Sequence, residues 1–88
     1  MNASKTLTDY VDGRNRIRAI FKQRPLSLNN AQDRQQLAED IDCALSPENL
    51  TCDGELPSSV VDRKYRMLTR CARELQKLDP AVKFYEFA

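Results

Sequence analysis

Residues 58–78 read SSVVDRKYRMLTRCARELQKL, and this stretch decides the fold class. Its apolar side chains recur every three or four positions, which places them on one side of an α-helix. The stripe comprises Val61, Tyr65, Leu68, Cys71, Ala72, Leu75 and Leu78. We therefore predict an amphipathic helix over residues 59–78, capped by Ser58 or Ser59. Asp62 is expected in its first turn, where a negative charge suits the helix dipole.

A helix with the same periodicity is predicted upstream, over residues 6–22, with Thr6 or Ser4 as its cap. Its apolar face comprises Leu7, Tyr10, Val11, Ile17, Ile20 and Phe21. Gly13 costs about 1 kcal/mol in a helix interior relative to alanine, which predicts either a bend or a helix start after it. Arg14 falls inside the apolar stripe. We expect it at the edge of the core or paired with a carboxylate across an interface.

A further helix is predicted over residues 30–45, after a break at Pro25. The candidate caps are Ser27, Asn29 and Asn30, and the apolar face comprises Ala31, Leu37, Ala38, Ile41, Ala44 and Leu45. The opposite face is expected to be solvated, because it carries Asp33, Glu39, Asp40 and Asp42. A compact loop with one short helical turn is predicted over residues 46–57.

These elements predict an all-α fold. The expected architecture is a small three-helix bundle, or a helical hairpin plus an N-terminal helix, with a short C-terminal tail. The 88 residues suffice for a single domain, residues 1–88. Residues 1–5 are expected to be disordered. The tail, residues 80–88, is expected either to fold over the bundle or to form an exposed end.

Composition excludes several functional classes. Hydrophobic residues make up 41% of the chain and charged residues 31%, which are ordinary globular values and argue against disorder. No stretch approaches the roughly 18 apolar residues that a membrane span requires, and the N-terminus lacks the apolar core of a secretory signal. We therefore expect a cytoplasmic protein with no membrane among its partners.

The residues that usually carry catalysis or bind metals are scarce. Histidine is absent, and the cysteines Cys43, Cys52 and Cys71 are odd in number and lack CxxC spacing. No serine or cysteine has a plausible base partner, and two glycines cannot build a phosphate loop. We predict a protein that is not an enzyme and has no metal or cofactor. The cysteines are expected to pack as small apolar residues, except Cys52, which lies in a predicted loop.

One helix face stands out by its charge. At 100° per residue, five basic side chains of the helix over residues 59–78 fall within roughly 80°, opposite its apolar stripe. We call them the basic ridge: Arg63, Arg66, Arg70, Arg73 and Lys77. Only Glu74 borders the row, whereas solvated helix faces usually mix signs. The ridge is either ordinary surface, or paired with an acidic element of the same chain, or a face that binds anions.

Charge is also segregated along the chain. Residues 14–24 hold five cations and no acid, whereas residues 33–55 hold seven acids and one arginine. The net charge of +1 therefore conceals a predicted dipole suited to complementary charged association. Nucleic acid is one candidate partner, but the isoelectric point near 7.7 is below the value of about 9 typical of dedicated binders. The aromatic residues Phe84, Tyr85 and Phe87 are of types enriched at interface hot spots.

The run LSPENLTCDGELPSS, residues 45–59, is followed by the helix pattern VVDRKYRMLTRCARELQKL. Together they resemble small uncharacterised accessory proteins of tailed bacteriophages, over residues 40–78. The resemblance implies a protein made in the cytoplasm of an infected bacterium, where it would bind and modulate or inhibit a host enzyme, nucleoprotein complex or defence system. It transfers no functional residues.

The sequence thus favours a non-enzymatic protein that binds a host macromolecule through the basic ridge and the aromatic tail. One alternative is a small nucleic-acid-binding protein that uses the ridge and the arginines of the first helix. A second alternative is a structural subunit that assembles with itself, for example as a homodimer.

Overall fold

The computed structural model of the protein describes residues 4–50 and 58–85. Within these ranges the chain is helical and contains no strand, which confirms the all-α prediction. The helices are α1 (Lys5–Ile20), α2 (Ala31–Leu45), the short α3 (Pro47–Leu50) and α4 (Ser58–Leu78). The three long helices match the predicted segments to within two residues. The short turn predicted after the second helix is α3.

The start of α1 is capped by Ser4, whose Oγ accepts a hydrogen bond from the Leu7 backbone N–H at 3.1 Å. The same Oγ donates to Glu74 Oε2, which ties the cap to α4. Ser4 and Lys5, which belong to the segment 1–5 predicted to be disordered, form the cap and first residue of α1, and residues 1–3 lie outside the described ranges. The helix also continues through Gly13 without interruption, because its capping and packing outweigh the local cost of glycine.

The core is built around α4, which packs against both α1 and α2. The buried apolar side chains are Leu7, Val11, Leu26, Leu37, Ala38, Ile41, Leu45, Leu50, Leu68, Cys71, Ala72, Leu75 and Val82. The stripe on α4 is narrower than predicted, since Tyr65 is 51% exposed. Asp62 was predicted in the first turn of this helix. The helix begins at Ser58, so Asp62 is its fifth residue and lies beyond the first turn.

The apolar face predicted for α1 is only half buried. Leu7 and Val11 enter the core, but Ile17, Ile20 and Phe21 are 44%, 75% and 71% exposed. The prediction that all of them face the core was wrong. The hydrogen bonds between α1 and α4 are made by residues at the start of α1. Helical periodicity is the same along the whole of α1, so it could not show where the contact with α4 ends.

The prediction that the acidic face of α2 is exposed to solvent was wrong for two of its residues. Asp33 and Asp42 are 2% and 6% exposed, whereas Glu39 is exposed as expected. Both buried carboxylates accept hydrogen bonds from backbone that crosses α2: Asp33 from Ser27 N–H and Asp42 from Tyr85 N–H. Burial of these two acids is tolerated because each is hydrogen-bonded.

The described part of the tail, residues 79–85, folds over the bundle, as one of the two predicted alternatives proposed. Asp79 accepts from Arg34 Nε at 2.8 Å, and Gln35 both donates to and accepts from the backbone of Lys83. Val82 is buried in the core. The tail thus lies along α2. Its last residues, 86–88, lie outside the described ranges.

The cysteines behave differently from one another. Cys71 is buried as predicted, and burial raises the pKa of its thiol to about 11. Cys43 is exposed, which contradicts the expectation that it packs as a small apolar residue. It lies on the outer side of α2, where Asn49 Nδ2 approaches its Sγ at 3.4 Å. Cys52 lies outside the described residues.

Candidate partner-binding surface

The basic ridge lies on the outer face of α4. Its five side chains are all exposed, while the opposite side of the helix supplies Leu68, Cys71, Ala72 and Leu75 to the core. At a rise of 1.5 Å per residue, the ridge spans about 21 Å from Arg63 to Lys77. The tertiary structure therefore leaves the whole predicted ridge open to solvent.

Among the described residues, one ion pair is formed with a member of the ridge, and it is exposed. Arg70 Nε lies 3.5 Å from Glu74 Oε1, but the arginine side chain is 68% exposed, and such exposed i,i+4 pairs are weak. Glu74 is shared, because its other oxygen accepts the hydrogen bond from Ser4. Within the described ranges, Arg63, Arg66 and Lys77 form no ion pair. The ridge is therefore a basic surface with a net positive field.

Two open depressions follow the ridge. One is lined by Arg66, Thr69, Arg70, Arg73, Glu74 and Lys77, and the other by Ser59, Asp62, Arg63 and Arg66. The hydroxyl of Thr69 in the first depression is already engaged, donating to Arg66 O at 3.0 Å. Guanidinium groups consequently supply most of the hydrogen-bond donors that line the depressions, and they match carboxylates and phosphates in geometry.

Exposed apolar side chains border the ridge. Met67 lies four residues after Arg63 and three before Arg70, which places it beside both on the helix surface. It is 41% exposed, and Val60, about two turns earlier, is 40% exposed. Protein–protein interfaces are enriched in methionine and arginine. The surface thus mixes cations with apolar contacts.

Three of the five cations in residues 14–24 contact other groups of the chain. Arg24 binds Asp33 through both terminal nitrogens, at 2.9 and 2.5 Å. Arg18 Nε donates to the carbonyl of Arg24 at 2.8 Å, and Arg14 Nε lies 3.7 Å from Asp40 Oδ2. This ion pair lies within the chain, whereas the predicted bridge was one across an interface, and neither Arg14 Nε nor Asp40 Oδ2 forms a hydrogen bond in the described structure. These three cations stabilise the fold and do not extend the ridge.

Contacts with arginines and backbone N–H groups lower the pKa of two carboxyl groups. The hydrogen bonds from Arg24 and the Ser27 backbone lower the pKa of Asp33 to about 2. Arg34 and the Ala81 backbone likewise hold the pKa of Asp79 below its usual value. Asp33, one of the acids in the predicted acidic half of the dipole, is therefore neutralised by an arginine of the same chain.

The two described aromatic residues of the tail, Phe84 and Tyr85, do not line the depressions along the ridge. Phe84 is half-buried and packs against the core. Tyr85 is 82% exposed, but its backbone is anchored to Asp42 on α2. Phe87 lies outside the described residues. The two described aromatics of the tail thus belong to the α2 side of the bundle, not to α4.

Sequence reasoning overlooked the exposed apolar residues at the end of α1, because their spacing is also that of a core-facing stripe. The tyrosine on the same helix, Tyr10, is half-buried, and its burial raises the pKa of its hydroxyl.

Within residues 4–50 and 58–85, no three cysteine or acidic side chains come together as a metal site would require. None of the described helices has the length and apolar character needed to cross a bilayer.

Comparison with protein-family models, curated proteins and solved structures finds no match to this chain.

Proposed function

We propose that this protein acts by binding, without catalysis of its own, and that the basic ridge is the surface that holds an acidic partner. The observation that carries the proposal is the exposure of five cations on one face of α4, three of them without an ion pair in the described ranges. In line with the bacteriophage resemblance, the partner is a host protein whose activity the binding modulates or inhibits.

The surroundings of the ridge favour a protein partner over nucleic acid. Met67 and Val60 offer apolar contacts that a phosphate backbone would not use. A nucleic-acid interface would also gain from the five cations of residues 14–24, but three of them, Arg14, Arg18 and Arg24, are engaged within the chain. The near-neutral net charge of +1 points the same way.

The test is a double charge reversal, Arg66→Glu with Arg70→Glu, in a tagged pull-down from bacterial lysate. The matched control is Arg16→Glu with Lys22→Glu, which changes the net charge equally at exposed positions of the first basic segment. We expect the ridge variant to lose the captured protein and keep the melting temperature, since exposed charges contribute little to stability. The control should capture the partner as the wild type does.

Parallel samples with and without nuclease separate the alternatives. Undiminished capture by the ridge variant would refute the ridge as the binding face. Capture that disappears with nuclease would favour the nucleic-acid alternative, whose affinity must fall about one decade per decade of salt for each phosphate contact. Self-assembly that depends on concentration in light scattering, with no captured partner, would favour the structural subunit.

A further inference from the structure

The end of α1 presents an apolar surface that the ridge does not include. Ile17, Ile20 and Phe21 follow the i, i+3, i+4 spacing that places side chains together on a helix surface, and they are 44%, 75% and 71% exposed. Ile20 is the last residue of α1, and Phe21 is its C-cap. We call these three residues the α1 tip. Such a cluster on a small protein usually marks a contact site.

The segment that carries the α1 tip has cations as its only charged residues. The sequence contains no acid between Asp12 and Asp33. Arg16 and Lys22 flank the tip, are exposed, and make no ion pair within the described residues. The apolar side chains are therefore bordered by free cations, and an anionic counterpart is complementary to them.

Lys22 has an unusual backbone conformation. Its φ of 58° lies in the left-handed region, where glycine is favoured. The conformation closes α1, because Lys22 N–H donates to Ala19 O and Gln23 N–H donates to Arg18 O. A lysine at this position keeps a cation beside Phe21 at a conformational cost, as is found where function requires the side chain.

The α1 tip is held in place by the loop that follows it. Asn15 makes two hydrogen bonds with the backbone of Leu26, which is buried. Arg18 binds the carbonyl of Arg24, and Arg24 binds Asp33. The exposed side chains therefore project from an anchored turn, so their exposure is a property of the fold.

We propose that the α1 tip inserts into an anionic lipid surface, with Phe21 and Ile20 below the headgroups and Arg16 and Lys22 at the phosphates. A bilayer suits a convex apolar tip because it needs no matching groove. It also suits a border of uniform positive charge, since an anionic leaflet is negative throughout whereas protein surfaces carry both signs. The sequence excluded a membrane partner only for want of a spanning segment, which a surface contact does not need. This contact is independent of the ridge.

The chain contains no tryptophan, so single tryptophans can report insertion. The probe is phosphatidylcholine vesicles that contain about one third phosphatidylglycerol. We expect the emission of Phe21→Trp to shift to shorter wavelength with these vesicles and to be quenched by brominated acyl chains. Tyr85→Trp, at a position that is equally exposed but away from the tip, should show neither effect.

Vesicle sedimentation supplies the second readout. Ile20→Ser with Phe21→Ser should lower partition into the anionic vesicles at least about tenfold, because two apolar side chains lose their burial. Both positions are exposed, so the variant should fold, and circular dichroism checks this. Pure phosphatidylcholine vesicles should bind more weakly.

Two results would overturn the proposal. Sedimentation without a spectral shift of Phe21→Trp, lost in Arg66→Glu with Arg70→Glu, would show electrostatic binding through the ridge instead. Absence of sedimentation with the anionic vesicles would refute lipid binding by the α1 tip and would favour a protein as its partner. Neither result affects the ridge proposal, which is tested by pull-down without lipid.

Discussion

The tether between Asn15 and Leu26 should be a measurable source of stability. Asn15 Nδ2 donates to Leu26 O at 2.9 Å, and Leu26 N–H donates to Asn15 Oδ1 at 2.7 Å. The side-chain amide thus pairs with both backbone polar groups of a residue that is 4% exposed. Through this pair, the loop after α1 is held against the helix while Leu26 enters the core.

Asn15→Ala removes both hydrogen bonds. Each contributes about 0.5–1.5 kcal/mol net, so their loss costs about 1–3 kcal/mol. The better helix propensity of alanine returns about 0.5 kcal/mol. We therefore expect the free energy of unfolding to fall by about 0.5–2.5 kcal/mol, which in a domain of this size lowers the melting temperature by about 2–20 °C.

Urea denaturation followed by circular dichroism measures this change, and Asn15→Asp is the matched control. Aspartate keeps an acceptor for Leu26 N–H but places a second oxygen against Leu26 O. At neutral pH we expect it to be at least as destabilised as the alanine variant. Because only the protonated carboxyl can donate to that carbonyl, the folded pKa should lie above the unfolded one, and stability should return as pH falls through it. An alanine variant within about 0.5 kcal/mol of the wild type would refute the reasoning.

Two further predictions concern the backbone of α1 and the internal acids. Lys22→Gly should raise the free energy of unfolding by about 0.5–1 kcal/mol, because glycine adopts the left-handed conformation without the steric cost of a side chain; a lower midpoint in urea denaturation would contradict this. The lowered pKa values of Asp33 and Asp79 mean that the stability they contribute is present above their unfolded pKa near 4 and is lost as pH falls through the folded pKa, which for Asp33 is about 2. Acid unfolding should therefore be less steep in Asp33→Asn than in the wild type, and identical pH profiles would show that the carboxylate of Asp33 does not carry the effect.

The two proposed surfaces differ in what they offer a partner. The ridge on α4 is a long row of cations with a narrow apolar border, whereas the α1 tip is a compact apolar cluster with a cationic border. Arg66→Glu with Arg70→Glu and Ile20→Ser with Phe21→Ser therefore alter the two surfaces separately. Comparing both variants in the pull-down and with vesicles would assign each binding event to one surface.

The sequence by itself determined the helices, most of the core of α2 and α4, and the basic ridge. These features depend on spacing along one helix, and a rotation of 100° per residue places Arg63 and Arg70 together whatever the rest of the fold does. Local signals also limited the cap of α2 to three candidates, and the structure shows that it is Asn30, whose Oδ1 accepts from two backbone N–H groups at the start of α2.

Only the tertiary structure decided which periodic residues are buried and which charges are free. Leu7 and Ile17 belong to one apolar pattern, but α1 packs against α4 near Leu7, and Ile17 is left exposed. Asp33 and Asp42 read as solvated acids until the loop after α1 and the tail fold across α2 and donate hydrogen bonds to them. The physical reason is that burial and pairing depend on contacts between segments distant in sequence, which no pattern within one helix records.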